Sequence, residues 1–346
     1  MSTILSISEK TFVIYDIFSK NDDNRVKICY NILSFILGRT VLLISKDLSY
    51  SHTSKCVVAL GCFDGVHLGH LSVINSALTK AKNENVPCCL WSFSEPPKRY
   101  YNPSYTPLLT DGEEKARIIS ELGVDIYLSV EFNSLIAALS PDEFFYEYLL
   151  KRLNPICIVC GYDFTFGRKG SGNTQTLRSL CEDNGVSFIS VSPVDVDGIP
   201  VSSSAIREYL SLGEIEKATA FLGRRYSITA PVIDGKHLGR KLGFPTINQQ
   251  ISDNMCIPAK GVYLTKIFFD DTEYFGITNV GTQPTVGGKQ IVFETNIFDF
   301  SGDLYGKKLR VEFIKFIRYE KKFNSLEELT NQINLDVSKA KEILTQ

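Results

Sequence analysis

The stretch that most constrains this chain is the apolar run Val57-Val58-Ala59-Leu60, the decapeptide Gly61–His70 (GCFDGVHLGH) and the segment Leu71–Asn83 behind it. The four apolar residues, two of them β-branched, read as a strand buried on both faces. Ile74, Leu78 and Ala81 recur at helical spacing. The glycine-rich decapeptide is therefore a strand-to-helix turn. Gly61, Gly65 and Gly69 permit positive φ and close approach of a ligand to backbone. Backbone N–H groups at a helix start attract anions, phosphate above all. His67 and His70 stand three apart at that start, two of only four histidines in the chain. One reading is a tight turn with two surface histidines. The other is a nucleotidyltransferase phosphate site, where His67 and His70 stabilise charge as pyrophosphate leaves the α-phosphorus of ATP.

From residue 56 to about 222 strand and helix patterns alternate. Strands are expected at Pro87–Phe93, Asp125–Val130, Ile156–Cys160 and Ser187–Val191. Helices are expected at Thr110–Leu122, from Ser140 to about Leu153, at Gly172–Asn184 and from Ser202 to Leu210. Ser140-Pro141-Asp142-Glu143 is a capping box with proline at the first helical position. This alternation implies an α/β Rossmann-like domain, a parallel sheet covered on both faces. Ligands of such sheets sit beyond the carboxyl ends of the strands. Two more segments lie at such ends. Gly161–Gly172 (GYDFTFGRKGSG) is either a glycine-rich surface loop or a ligand-facing one. Ser202-Ser203-Ser204-Ala205-Ile206-Arg207 is either a set of helix caps or a phosphate-binding start with Arg207 adding charge.

Beyond Leu222-Gly223-Arg224-Arg225 the texture changes to strands at Tyr226–Val232, Gly261–Phe269, Glu273–Val280, Ile291–Phe298 and Lys308–Phe316. Asp270-Asp271 and Gly287-Gly288 read as hairpin tips. A helix over Ser325–Leu344 opens with a second capping box. The pattern is an antiparallel sheet closed into a barrel, with a C-terminal helix. Within it, Gly235–Asn248 (GKHLGRKLGFPTIN) carries three glycines and four basic residues. It is either an exposed basic hairpin or a loop that folds over phosphates. Thr246 and Asn248 alternate on an extended segment, so both face one side and can share a Mg²⁺. Glu294, in a strand of apolar residues beside Asn296, points into the barrel mouth on this reading. It is either a general base for a substrate hydroxyl or the partner of a Lys or Arg.

Composition narrows the classes. Thirty-nine acidic residues against 37 basic ones give a net charge of −2, no field for nonspecific nucleic-acid or anionic-lipid binding. No apolar run reaches the ~18 residues of a membrane span, and the N-terminus lacks the order of a signal peptide. Nine scattered cysteines, several inside apolar runs, suit reduced core thiols in a cytoplasmic protein. Cys157-Ile-Val-Cys160 lies on an expected strand, where the two sulfurs point to opposite faces. Residues 1–54 show no chemistry; Arg25–Leu37 reads as a helix and Val41–Ser45 as a strand.

The order GCFDGVHLGH, GYDFTFG, SSSAIR, LGFPTIN, FETNIFDFSGDLYG and a C-terminal helix resembles the bifunctional riboflavin kinase/FMN adenylyltransferases, the prokaryotic FAD synthetases, from about residue 55 to 346. The resemblance implies three segments: an extension of unknown role (1–54), an FMN adenylyltransferase domain (55–222) and a riboflavin kinase domain (223–346) built as a six-stranded antiparallel barrel. It implies riboflavin plus ATP to FMN, then FMN plus ATP to FAD and pyrophosphate, both with Mg²⁺. By position, His67 and His70 match the adenylyltransferase histidines, and Gly61, Phe63 and Asp64 its ATP-binding turn. Ser203, Ser204 and Arg207 match its phosphate segment. Phe93, Asp163 and Phe164 match its flavin side. In the kinase, Gly235, Lys236, Gly239, Arg240, Gly243, Thr246 and Asn248 match the ATP segment, with Thr246 and Asn248 as metal ligands. Glu294 matches the base that takes the ribityl 5′-hydroxyl proton, while Asn296, Asp303, Leu304 and Tyr305 flank the flavin.

Two departures stand out. Phe93-Ser94-Glu95-Pro96-Pro97 lacks the histidine of the family's Phe-x-Pro-His-Pro, and Asp234-Gly235 replaces His-Gly. The first motivates an alternative, riboflavin kinase alone; a non-catalytic flavin-binding regulator is a further one. Partners are expected to be small molecules, with neither nucleic acid nor membrane, in a monomer or weak homo-oligomer.

Overall fold

The computed structural model describes residues 3–8, 11–15, 40–52, 54–102, 106–235, 243–270, 272–285 and 288–345. The chain divides into two compact units, residues 1–106 with 110–201, and residues 107–109 with 202–346.

The first unit is built on an eight-stranded sheet. Its strands are β1 (Thr3–Ser8), β2 (Thr11–Tyr15), β3 (Thr40–Ser45), β4 (Cys56–Leu60), β5 (Cys88–Phe93), β6 (Ile126–Val130), β7 (Pro155–Gly161) and β8 (Ser187–Val191). Their order is β1-β2-β3-β6-β5-β4-β7-β8. All neighbours run parallel except β1 and β2. β4 is wholly buried, and alternate residues feed two separate cores. Val57, Ala59, Leu90 and Val159 pack on one face with Ile74, Ala77 and Ala81 of the Leu68–Glu84 helix. Val58, Leu60, Trp91 and Ile158 pack on the other with Phe145, Leu149 and Leu177. A strand covered on both sides needs an unbroken apolar run, which is why β4 was legible.

Three strands from the first 54 residues widen this sheet. Leu42 and Ile44 of β3 join the core shared with the Leu68–Glu84 helix. The helix expected at Arg25–Leu37 lies outside the described residues. The helix expected from Ser140 is present, capping box included, but widens to π geometry over Phe144–Leu150. Cys157 and Cys160 fall in opposite cores, as a strand dictates.

The second unit holds a closed antiparallel barrel. Its strands are β11 (Ser227–Ile233), β12 (Ile247–Gln250), β13 (Gly261–Phe269), β14 (Thr272–Thr285), β15 (Gly288–Ile297) and β16 (Lys308–Tyr319), in the order β11-β12-β15-β14-β13-β16. The first unit's strand series is followed by a short ribbon, β9 (Asp195–Val196) with β10 (Ile199–Pro200). β12 begins within the last residues of the Gly235–Asn248 segment and completes the six strands. Asp271 and Gly287 of the expected hairpin tips lie outside the described residues, but Phe269 pairs with Thr272 and Thr285 with Gly288. Inside the barrel, Thr265, Thr278 and Thr295 form a buried hydroxyl chain at 2.8 and 2.9 Å. The Leu326–Thr345 helix covers Val262, Leu264, Ile277 and Ile317 through Ala340. Asp336 of that helix accepts from Arg318, whose Nε reaches both carboxylate oxygens at 3.0 Å and whose Nη2 reaches Oδ2 at 2.8 Å.

Candidate functional site

In the first unit the sheet order reverses at β4. The chain moves from β4 to β5 and β6 in one direction, and to β7 and β8 in the other. The crevice at the carboxyl ends of β4 and β7 is thus the switch point where such sheets take ligands. The Gly61–His70 turn leaves β4 there, and the Gly161–Gly172 loop leaves β7 there.

The turn is held in a strained form. Among its three glycines only Gly65 has a positive φ, +83°. Phe63 and Val66 are themselves left-handed, at 50° and 38°, and both are buried in the core. Such residues persist only where packing over-determines them. Gly61 and Gly69 serve by close approach instead: a Cβ at Gly61 would lie 2.8 Å from the Phe63 ring, and one at Gly69 would lie 3.2 Å from the His67 ring. His67 caps the Leu68–Glu84 helix, its Nδ1 accepting from the His70 N–H at 3.3 Å. In neutral His67 the ring proton is therefore on Nε2. The His67 and His70 rings stack, 3.6 Å between centroids and 18° apart. Both imidazoles thus serve one locus at a helix N-terminus. Asp64 is buried and accepts from the Thr110 N–H at 3.3 Å, so within the turn its carboxylate acts on backbone.

Phe93 ends β5 and makes edge contacts with Trp91 and Phe132. Tyr100 and Tyr101, both exposed, continue that aromatic group against Phe132. Sequence reasoning missed Tyr100, Tyr101 and Phe132. The short helix Pro97–Tyr101 follows the altered Phe93–Pro97 segment and carries the tyrosines. Asp163 is exposed on the β7 loop, near Gly161. Phe164 stacks on Phe166 and packs against the core. Burial lifts the Cys62 thiol in the turn to about 11, moderated by the Lys115 ammonium.

The Ser203–Ser211 helix falls in the second unit. Its cap is Ser202, accepting from the Ala205 N–H at 3.2 Å, while Ser203 and Ser204 occupy its first turn. Arg207 donates to the Pro107 carbonyl at 2.7 Å.

On the barrel, register assembles a second polar group. Asn248 of β12 pairs with Glu294 of β15, which pairs with Asn279 of β14. The expectation that Glu294 enters the barrel is corrected. Strand alternation puts Phe293 and the hydroxyl-bonded Thr295 inside, so Glu294 faces outward with Asn248 and Asn279. Glu294 accepts from the Gln283 amide at 2.7 Å, a neutral donor that sequence reasoning did not find. Gly235 lies against Asn248: a Cβ there would come 2.1 Å from its Nδ2. Asn296 donates to the Pro245 carbonyl at 2.8 Å, pinning the start of Thr246-Ile247. Gly243 has a φ of +82°. Lys236, Gly239 and Arg240 lie outside the described residues. Asp303 accepts from the Tyr305 N–H at 3.0 Å, Tyr305 is exposed, and Leu304 is buried in the barrel core. Among the described residues no group of three His, Cys, Asp or Glu is arranged to hold a metal. Thr246 and Asn248 offer a hydroxyl and an amide oxygen, the hard neutral donors that suit Mg²⁺ when phosphates complete its shell.

Two family models match successive parts of the chain. Residues 49–205 match the FAD synthetase family model and residues 222–344 match the riboflavin kinase model. A bifunctional riboflavin kinase/FMN adenylyltransferase of Bacillus subtilis is 37% identical over 83% of this chain and 92% of its own length. One from Escherichia coli K12 is 33% identical over 86% and 95%. Among solved structures, one titled as a macrolide-efflux protein from Streptococcus pneumoniae superposes with a TM-score of 0.79 at 31% identity, covering 87% of this chain and 98% of that one. No described helix is long and apolar enough to cross a membrane.

Proposed function

Because the chain belongs to the bifunctional riboflavin kinase/FMN adenylyltransferase family, we propose that it phosphorylates riboflavin to FMN and adenylates FMN to FAD, each time with ATP. What supports the pairing of activities is that each matched family segment carries its own intact polar group, His67/His70 in one and Asn248/Glu294 in the other.

In the kinase step Glu294 takes the proton from the ribityl 5′-hydroxyl as that oxygen attacks the γ-phosphorus, and ADP leaves. The Gln283 amide orients the carboxylate. Thr246 and Asn248 would hold Mg²⁺, which supplies charge neutralisation on the phosphate oxygens. Gly235 keeps the preceding segment close over Asn248. Gly243, Asn296, Asp303 and Tyr305 line the substrate side; Leu304 supports them from the core.

In the second step an FMN phosphate oxygen attacks the α-phosphorus of ATP and pyrophosphate leaves. His67 and His70 stabilise the charge that develops on the departing phosphates. Gly61, Phe63 and Asp64 shape the turn. Phe93, together with Tyr100, Tyr101 and Phe132, offers ring faces and edges for the isoalloxazine. These aromatics favour retention of flavin adenylation despite the missing histidine. Asp163 belongs to the loop that closes over the ligands.

Purified protein given riboflavin, ATP and Mg²⁺ is expected to yield FMN and then FAD by chromatography. FMN accumulating alone would remove the second step, and chelation of Mg²⁺ is expected to stop both. We also assign the protein to the cytoplasm, in keeping with buried thiols such as Cys56, Cys88 and Cys160, and take it as a monomer or weak oligomer, testable by light scattering.

A further inference from the structure

Behind the histidine turn stands a buried amine that the proposed chemistry does not use. Lys115, on the Gly112–Glu121 helix, is 1% exposed. Its Nζ donates to three carbonyls: Phe93 at 3.1 Å, Cys62 at 3.4 Å and Ser94 at 3.4 Å. Cys62 belongs to the turn that carries His67 and His70; Phe93 and Ser94 form the corner after β5. The Cys62 carbonyl also accepts from the Ser92 hydroxyl at 3.0 Å. Thr110, 3% exposed and just ahead of the same helix, meets the turn a second time. Its Oγ1 accepts from the Gly65 N–H at 3.1 Å, and its own N–H donates to Asp64 at 3.3 Å.

A buried ammonium is costly unless its protons are used, and an apolar side chain would fill a helix–sheet gap at less expense. Here the protons join two chain segments that diverge from neighbouring strands. The turn they hold contains two left-handed non-glycine residues, so it needs external restraint.

We propose that Lys115 and Thr110 are positioning residues for adenylyl transfer, clamping the histidine turn to the Phe93–Ser94 corner so that the nucleotide and the flavin phosphate meet in line. The proposal rests on the assignment of that reaction to the His67/His70 turn. Neither side chain acts on substrate. Their effect is on geometry, and small misplacements of reacting groups cost about 10²-fold in rate.

The test uses the full-length protein, with riboflavin kinase activity as an internal control. Lys115→Met is expected to lower kcat for FMN-to-FAD conversion about 10²-fold, with KM for ATP and the kinase rate within about threefold of wild type. Thr110→Val, which keeps the backbone donor but removes the acceptor for Gly65, is expected to lower the same kcat about tenfold. Thr110→Ser is expected to restore it. If Lys115→Met does not fold, the Thr110 pair decides. A folded Lys115→Met protein, or Thr110→Val, that keeps kcat within about threefold overturns the proposal, as does a loss in Thr110→Val that serine does not rescue. His67→Ala, assayed alongside, separates the two layers: if it still makes FAD, the site assignment falls and the clamp with it. If it does not, and the clamp variants are unaffected, the clamp alone falls.

Discussion

Glu294 shows how much one side chain's surroundings decide. It lies between Asn248 and Asn279 on the outer wall of the barrel and accepts from an uncharged amide. The Gln283 amide fixes the direction of the carboxylate, and orientation toward the proton it takes is what a general base needs. Glu294→Ala is expected to reduce FMN formation by about 10²–10⁴-fold, the usual contribution of a general base, while FMN-to-FAD conversion persists. Chromatography with riboflavin, and separately with FMN, reads both. Cys62 makes a different prediction. Burial holds its thiol near 11, so it is protonated at pH 8 and reacts only as the pH climbs toward that value. Alkylation of the native protein followed by peptide mass mapping is expected to leave Cys62 unmodified at pH 8 and to label it after denaturation.

At the scale of elements, the barrel is tied internally by hydroxyls as well as by apolar contacts. Thr278 bridges Thr265 and Thr295 across three neighbouring strands. Thr278→Val retains the shape but removes the hydroxyl partner of Thr295 and leaves Thr265 only the Gly276 carbonyl, in a buried setting. A loss of about 1–3 kcal/mol is expected, read as a lower urea midpoint. The Gly112–Glu121 helix performs a comparable task in the other unit, where its own Lys115 and the preceding Thr110 reach two segments of the sheet's ligand edge. The π-widened stretch Phe144–Leu150 buries Phe144, Phe145 and Leu149 together in one core. A regular helical repeat would separate neighbouring residues by about 100°, and the wider turn eases that conflict.

For the whole molecule, the two polar groups belong to different compact units, joined by chain at residues 201–202 and through the 107–109 excursion. FMN is the product of one reaction and the substrate of the other. Mixing Glu294→Ala protein with His67→Ala protein is therefore expected to restore riboflavin-to-FAD conversion that neither variant performs alone. The appearance of FAD should lag behind free FMN. A mixture that makes FMN but no FAD would show that FMN is not taken up from solution by the second site.

The local patterns of the chain were enough for the parallel sheet, the barrel, the helix caps and the motif residues. Buried parallel strands must be apolar throughout, glycine-rich turns must follow them, and caps are set by residues three apart. The same patterns were silent on β1 and β2, short segments whose pairing comes from the sheet edge they join. They were silent on Lys115 too, whose acceptors lie 53, 22 and 21 residues away and whose helix position looks like any amphipathic one. Nor did they give the face on which Glu294 emerges, since a carboxylate between apolar neighbours fits either wall until the register with Asn248 and Asn279 is known. Sequence by itself determined which kinds of elements form and which residue types stand at their ends, because those depend on neighbours along the chain. Tertiary structure alone decided which of those ends meet, because strand order, register and buried hydrogen bonds join residues that no local spacing connects.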